Sequence, residues 1–241
     1  MAKIEVEGTF SRRIGNYVIY ELNGQMIIRS ISGFSSTDLY HNKKYEKCRQ
    51  NAHEFGKLSS QCKAIRMALK EILPKSNNLA VVNAFTKKMR SLLLFDTTSE
   101  KGKRQLAQAL QNPLAKTALQ YYPFNPMNPL GLEPVTLNNT SLRFTTTALT
   151  FPAQANSIGI TTHFLFFNFI TNESWLYSSS ITHFQKATLP ETVTVSLPDQ
   201  PKAGSGIRFT LVEIAFFEHT KDIFIPLEED ASKMVVVLAV E

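Results

Sequence analysis

From Asn42 to Leu73 the apolar side chains fall at Tyr45, Cys48, Ala52, Phe55, Leu58, Cys62, Ile65, Leu69 and Ile72. These spacings of three and four put them on one face of an α-helix. The opposite face is basic, with Lys43, Lys44, Lys47, Arg49, Lys57, Lys63, Arg66 and Lys70 against only Glu46, Glu54 and Glu71. One side is expected to be buried, and the other repels itself unless something anionic lies near. Gly56 in the middle costs roughly 1 kcal/mol relative to Ala and is expected to mark a kink or a close backbone crossing.

Ahead of this helix, Lys3 to Glu7 alternates like a short strand, and a basic turn through Arg12, Arg13 and Gly15 leads to a hairpin. Tyr17 to Leu22 and Gln25 to Ser30 flank Asn23-Gly24, a pair suited to the positive φ values of a type I′ turn. A two-residue loop pairs Leu22 with Gln25, Tyr20 with Ile27 and Val18 with Arg29. Both faces of this hairpin are partly apolar, which predicts cover by helix on one side and by a partner on the other. After a loop from Ser32, Asp38 or Asn42 is placed to cap the long helix, which stops before Pro74.

A second helix is expected from Asn78 to Phe95, burying Leu79, Val82, Phe85, Met89 and Leu92 and showing Lys87, Lys88 and Arg90. A short Pro-Lys-Ser-Asn turn makes it antiparallel to the first. A third, weaker helix over Ser99 to Gln111 would carry Lys101, Lys103 and Arg104 in its first turn, where the macrodipole disfavours cations. Pro113 to Pro134 holds five prolines with Tyr121, Tyr122 and Phe124 and reads as a linker or wrapping arm. Beyond it, segments rich in Thr, Val, Ile and Phe alternate with turn residues, the pattern of a two-sheet antiparallel sandwich. Its last strand, Lys233 to Val240, is apolar on both faces and is expected to lie centrally or under a neighbour. The expected fold class is therefore α+β: a basic hairpin-helical domain over 1–112, the Pro-rich segment 113–134, and an antiparallel β-sandwich over 135–241.

Charge divides the same way. Residues 1–120 hold 20 Lys and Arg with 9 Asp and Glu, net +11, whereas the remainder holds 6 and 11, net −5. That polarity points to an anionic partner for the first half, or to self-association in which opposite halves meet.

Chemistry-bearing motifs are scarce. The histidines at 41, 53, 163, 183 and 219 show no metal-ligand spacing, so no metal or other cofactor is expected. Cys48 and Cys62 lie fourteen positions apart on one helix, about 21 Å at the helical rise, too far to bridge, and read as buried thiols. Gly204-Ser205-Gly206 is read as a turn, and Asp222, Glu228, Glu229 and Asp230 as a solvated acidic turn rather than a cation site. Trp175, Tyr177 and Phe164, Phe166, Phe167, Phe169, Phe216 and Phe217 are assigned to the sandwich core. With no leader-like or membrane-length apolar run, a reducing, cytoplasmic setting is expected, in which the Asn139 and Asn172 sequons carry no meaning.

Gly8-Thr9, Ile14-Gly15-Asn16, Tyr20, the run Arg49-Gln50-Asn51-Ala52-His53-Glu54-Phe55-Gly56, Asp96-Thr97-Thr98-Ser99 and Gly102 resemble a family common in Bacteroidota genomes. Its members pair a short hairpin and an R-x-N-x-x-E-F-G helix with a β-rich C-terminal half, and they have no established activity. Val212 to Glu218 followed by Pro226-Leu227 is similar to their closing strands. Phe10 to Arg13 lengthens the first turn relative to the family. The resemblance implies the domain order and a bacterial origin, and assigns no site.

The functional expectation is a non-enzymatic structural or assembly protein that forms homo-oligomers through the basic half, the hairpin edge and the Pro-rich arm. The alternative is sequence-independent nucleic-acid binding by Lys43, Lys44, Lys47, Arg49, Lys57, Lys63, Arg66, Lys70, Lys87, Lys88, Arg90, Lys101, Lys103 and Arg104. A third reading, a carbohydrate or peptide on the sandwich, rests on fold analogy. Neither a membrane nor a small-molecule substrate is indicated.

Overall fold

The computed structural model describes residues 2–4, 11–31, 36–73, 78–125, 135–147, 149–199, 206–221, 223–227 and 232–241. It is mixed α+β and divides into two compact units, Met1–Asn51 and Ala52–Glu241.

In the first unit Asn23 and Gly24 take φ values of 54° and 73°, the positive φ values of a type I′ turn, which Asn tolerates and Gly, lacking a Cβ, adopts freely. The resulting hairpin, β3 (Tyr17–Leu22) with β4 (Gln25–Ser30), has the expected register, Leu22 opposite Gln25 and Tyr20 opposite Ile27. The basic turn before it is in fact a strand. β2 (Ser11–Ile14) folds back on β3 through Gly15, whose φ is 55°, and β1 (Ala2–Ile4) pairs with β4, giving the order β1-β4-β3-β2. Both outer edges of the hairpin are therefore occupied within the chain. Residues 5–7 of the expected first strand and the loop 32–35 lie outside the described residues.

A short helix, α1 (Ser36–His41), and a 3-10 turn (Lys43–Tyr45) precede the long helix α2 (Glu46–Ala68). Asn42 caps the turn by accepting from the Lys44 N–H at 3.0 Å. The division between units falls inside α2. Beyond it Leu58, Cys62, Ile65, Leu69 and Ile72 are buried as the periodicity requires, but Ala52 and Phe55 are exposed, and so is Cys48 in the first unit. The inward position at this end goes to Glu54 instead. α2 runs unbroken through Gly56, around which a Cβ would meet nothing within 4 Å, so no backbone crosses there.

The second helix is α3 (Asn78–Leu92), extended by a 3-10 turn to Phe95. Its buried stripe is Val81, Phe85, Met89 and Leu92, and Leu79 is 71% exposed, so the phase at its start differs by a residue or two from that expected. The Pro-Lys-Ser-Asn turn at 74–77 lies outside the described residues. In place of a helix over 99–111 there is a capped loop and one turn, α4 (Leu106–Ala109). Lys101, Lys103 and Arg104 therefore sit on a loop.

The Pro-rich segment begins as structure rather than linker. Pro113 opens α5 (Pro113–Leu119), where its missing N–H costs nothing, and Asn112 caps it by accepting from the Leu114 N–H at 3.0 Å. The chain then straps along the last strand. Tyr121 N–H donates to the Val237 carbonyl at 2.7 Å, Val237 N–H to the Tyr122 carbonyl at 3.0 Å, and Phe124 N–H to the Val235 carbonyl at 2.8 Å. The expected wrapping thus happens on the chain's own edge. Residues 126–134 lie outside the described residues.

The β-rich part holds two antiparallel sheets. The larger is built on β11 (Ile207–Thr220), which pairs with β7 (Ser157–Phe167) on one side and with β12 (Ile223–Pro226) and β13 (Lys233–Val240) on the other. β8 (Ser174–Ser178) and β9 (Thr182–Gln185) share the far edge of β7. The smaller has the order β10-β6-β5, from Thr192–Ser196, Ser141–Thr145 and Val135–Leu137.

Strand alternation sends each face of the large sheet to a different core. Ile158, Ile160, Val212, Ile214, Phe216 and Val236 meet Leu142, Phe144, Val193 and Val195 of the small sheet. Leu165, Phe167, Phe209, Leu211, Val235 and Val237 meet Leu58, Ile65, Phe85, Leu106 and Leu119 of the helices. This is why β13 is apolar on both faces: in the second unit the helices and one face of the sheet share a core, and the small sheet covers the other. Phe85, Tyr122 and Phe124 interlock with ring centroids 5.0–5.8 Å apart, and the gap that Phe85 and Phe124 line with Ile65, Leu119, Phe209 and Val237 is too small for a water.

Candidate functional site

The expected cations split into those used inside the fold and those left over. In the first unit, the Arg49 guanidinium donates to the Leu39 carbonyl at 2.6 Å and the Asn42 carbonyl at 3.0 Å, tying α1 to the start of α2, so it is a structural cation. Lys43, Lys44 and Lys47 are exposed.

In the second unit Arg104 is also structural. Glu54, 6% exposed, accepts from Arg104 Nε at 2.8 Å and Nη2 at 2.7 Å, and from the backbone N–H of Gly102 at 2.7 Å and Arg104 at 3.3 Å. The bond from the Arg104 guanidinium, then the backbone donors, overcome burial and hold the Glu54 carboxyl down at about 2. Asp96, 4% exposed, closes the same loop. Its carboxylate accepts from the Thr98 and Ser99 N–H groups and from Gln105 N–H at 2.8 Å. Burial raises the Asp96 carboxyl, but the donors from Gln105, Ser99 and Thr98 outweigh it and leave it well below the usual range. His53 Nδ1 lies 2.8 Å from the Gly102 carbonyl, and Lys57 Nζ donates to Gln105 at 3.2 Å.

These contacts bring together Glu54 and, more than forty positions later, Asp96, Thr98, Ser99 and Gly102, and give them one physical role: a clamp that shapes the loop 96–105. The clamp also consumes anions. Of the four acidic residues in the described helical layer from 52 to 119, Glu54 and Asp96 point inward, Glu100 pairs with Lys103 at 3.0 Å, and Glu71 is exposed.

The remaining cations have no such partner. Lys63 and Lys70 are exposed on α2 and the turn after it, and Lys87 and Arg90 are exposed on α3; Arg66, between the first two, is half-buried with its Nε shut off from solvent. Arg90 sits 5.8 Å over the exposed ring of Phe55, and Cys62 is hydrogen-bonded to Thr86, which sets the helices side by side and antiparallel. Among the described residues no ion pair engages Lys63, Arg66, Lys70, Lys87, Lys88 or Arg90. Lys101 is exposed on the clamped loop, and Lys88 is half-buried.

Elsewhere the polar groups fall into two clusters. An open cleft of about 580 Å³ is lined by Asn156, Gln185, Lys186, Ala187 and His219. Beside it the rings of His183 and His219 stack on Phe224 at 3.9 and 4.4 Å, and burial, then the neighbouring His219, lowers the His183 pKa. The second cluster joins Ser178, His163, Glu213 and Lys233 across the large sheet. Sequence reasoning missed both, because each gathers residues from several strands with no fixed spacing. It also placed Trp175 and Tyr177 in the core, whereas they are 40% and 37% exposed on the edge strand β8.

Among the described residues no group of three or more His, Cys, Asp or Glu side chains is arranged to hold a metal, and no helix is long and apolar enough to cross a membrane. Two expected turns, Gly204-Ser205 and Asp222 with Glu228–Asp230, lie outside the described residues. Compared with known proteins, the chain matches no family model, no curated protein and no solved structure.

Proposed function

We propose that the second unit binds an extended polyanion, nucleic acid without sequence preference, across the outward face of α2 and α3. The observation that carries this reading is the run Lys63, Lys70, Lys87 and Arg90, with Arg66 half-buried beside it, which forms no ion pair among the described residues and lies on two adjacent helices whose own buried acids are committed to the loop clamp. Like charges at i,i+3 and i,i+4 destabilise a helix by about 0.2–0.5 kcal/mol a pair. The macrodipole favours Arg66 and Arg90 near helix ends but does nothing for Lys63. Phosphates would relieve this repulsion. Among the described residues no base-reading element accompanies the cations, so affinity would come from the backbone charge.

The test is fluorescence anisotropy with a labelled random 30-nucleotide single strand and a duplex of the same length, from 50 to 200 mM salt. Engagement of four or five phosphates gives a slope of log K against log salt of about −3 to −4.5. The triple variant K63E/K70E/K87E should abolish the signal at all salt concentrations. Absence of binding at 50 mM salt rejects the proposal.

Homo-oligomeric assembly is the second reading. The hairpin edges and the strap at 121–125 are already used within the chain, so its support now comes from apolar side chains on outer strands, Trp175 and Tyr177 on β8 and Ile223 and Ile225 on β12. Native mass at low and high salt tests it. A monomer at micromolar concentration in both excludes it.

A further inference from the structure

Ser178, His163 and Glu213 lie on three adjacent strands, β8, β7 and β11, on the helix-facing side of the large sheet. His163 is 2% exposed and directly opposite Ser178 in the ladder, its Nδ1 2.8 Å from the Ser178 hydroxyl. Its Nε2 lies 3.1 Å from Glu213 Oε2, and the other carboxylate oxygen of Glu213 accepts from Lys233 Nζ at 2.7 Å. Burial raises the Glu213 carboxyl, but the hydrogen bonds from His163 and Lys233 outweigh it and keep it ionised at neutral pH.

The chemistry of these groups orders the hydrogens. An ionised carboxylate can only accept, so Nε2 of His163 must carry a proton toward Glu213. In the neutral imidazole Nδ1 then has a lone pair, and the Ser178 hydroxyl donates to it. A serine donating to a histidine whose far nitrogen is held by a carboxylate is the arrangement of an activated nucleophile. Ser178 itself is exposed, on a strand that ends its sheet. A structural histidine needs partners for both nitrogens but has no need for one of them to be a solvent-facing hydroxyl at the sheet edge.

We propose that Ser178 is an activated nucleophile that takes up acyl groups from esters, with His163 as general base and Glu213 as the positioning residue. As the Ser178 oxygen attacks the ester carbonyl, its proton passes to His163 Nδ1. The carbon–oxygen bond to the alcohol breaks and the alcohol leaves with that proton. Water, deprotonated by the same nitrogen, then attacks the acyl carbon, the bond to the Ser178 oxygen breaks, that oxygen takes the proton back from His163 Nδ1, and the acid leaves. This activity is independent of the basic helical face.

The experiment uses the full chain and a fluorophosphonate probe, which reacts by the same path: the serine oxygen bonds to phosphorus, fluoride leaves, and the proton goes to His163. Peptide mass spectrometry should find the label on Ser178 and not on Ser179 or Ser180. Ser178→Ala should abolish it. His163→Gln keeps an amide donor for Glu213 and an acceptor for Ser178 but no base, and should slow labelling at least ~100-fold with the circular dichroism and melting point retained. Removing the anion with Glu213→Gln, with Lys233 the other charge facing it, should slow labelling and move its half-maximal pH downward; an unmoved half-maximal pH would mean that His163 is not the base that sets the rate and would overturn the proposal. A folded wild-type chain that takes no label at Ser178, or a His163→Gln variant that labels as fast as wild type, overturns the proposal.

Discussion

Replacing Glu54 by Gln removes the charge that holds the loop 96–105 while keeping the side chain's size and one acceptor. The carboxyl, 6% exposed, is held at about 2 against an ordinary value of 4.5. A group whose folded pKa is depressed adds stability above its unfolded pKa and loses it as pH falls through the folded one. The gap of about 2.5 units corresponds to about 3 kcal/mol at pH 7, falling to about 0.5 kcal/mol at pH 2. Arg104, whose side chain is 20% exposed, can regain some water when its partner is neutralised, so the loss at pH 7 should sit near the lower end of the range of about 3–5 kcal/mol for breaking a buried pair. Urea unfolding followed by the single tryptophan, Trp175, reports on the same compact unit. The difference between wild type and Glu54→Gln should shrink by about 3 kcal/mol between pH 7 and pH 2. A difference that is the same at both pH values would refute the assignment of Glu54 as a charged clamp.

Two further outcomes follow from packing and burial. Phe85→Ala, at a site 1% exposed between Tyr122 and Phe124, should cost about 3–5 kcal/mol in urea unfolding, and a loss under 1 kcal/mol would mean the strap is not seated on α3. In the native chain Ellman's reagent should titrate one thiol, Cys48, which is exposed. Cys62 is fully buried, its thiol pushed up to about 12 by desolvation, and should react only on unfolding; two fast equivalents would contradict that.

Local rules were enough for the elements whose energetics are local. The Asn23-Gly24 turn, the existence of α2 and α3 and the two-faced apolar β13 are all legible because backbone conformation and side-chain period decide them. The clamp was only half legible. Glu54 shares its helical phase with Leu58, Gln61 and Ile65, all buried, and an acid in an apolar phase is the signal that could have marked it as paired inside. Read by charge alone, it vanished among the lysines of the same helix. The loop that should have been a third helix was decided by Asp96 and Glu54 capturing backbone N–H groups, an option set by proximity in space.

The sequence by itself therefore determined the α+β class, the hairpin register and the polarity of charge, since each depends on neighbours a few positions apart or on a simple count. Only the tertiary structure decided which cations are spent internally, that the Pro-rich strap closes the edge of its own last strand, and that Ser178, His163 and Glu213 meet. Those outcomes hinge on contacts between residues tens of positions apart, which strand pairing and a shared core bring together and no local pattern records.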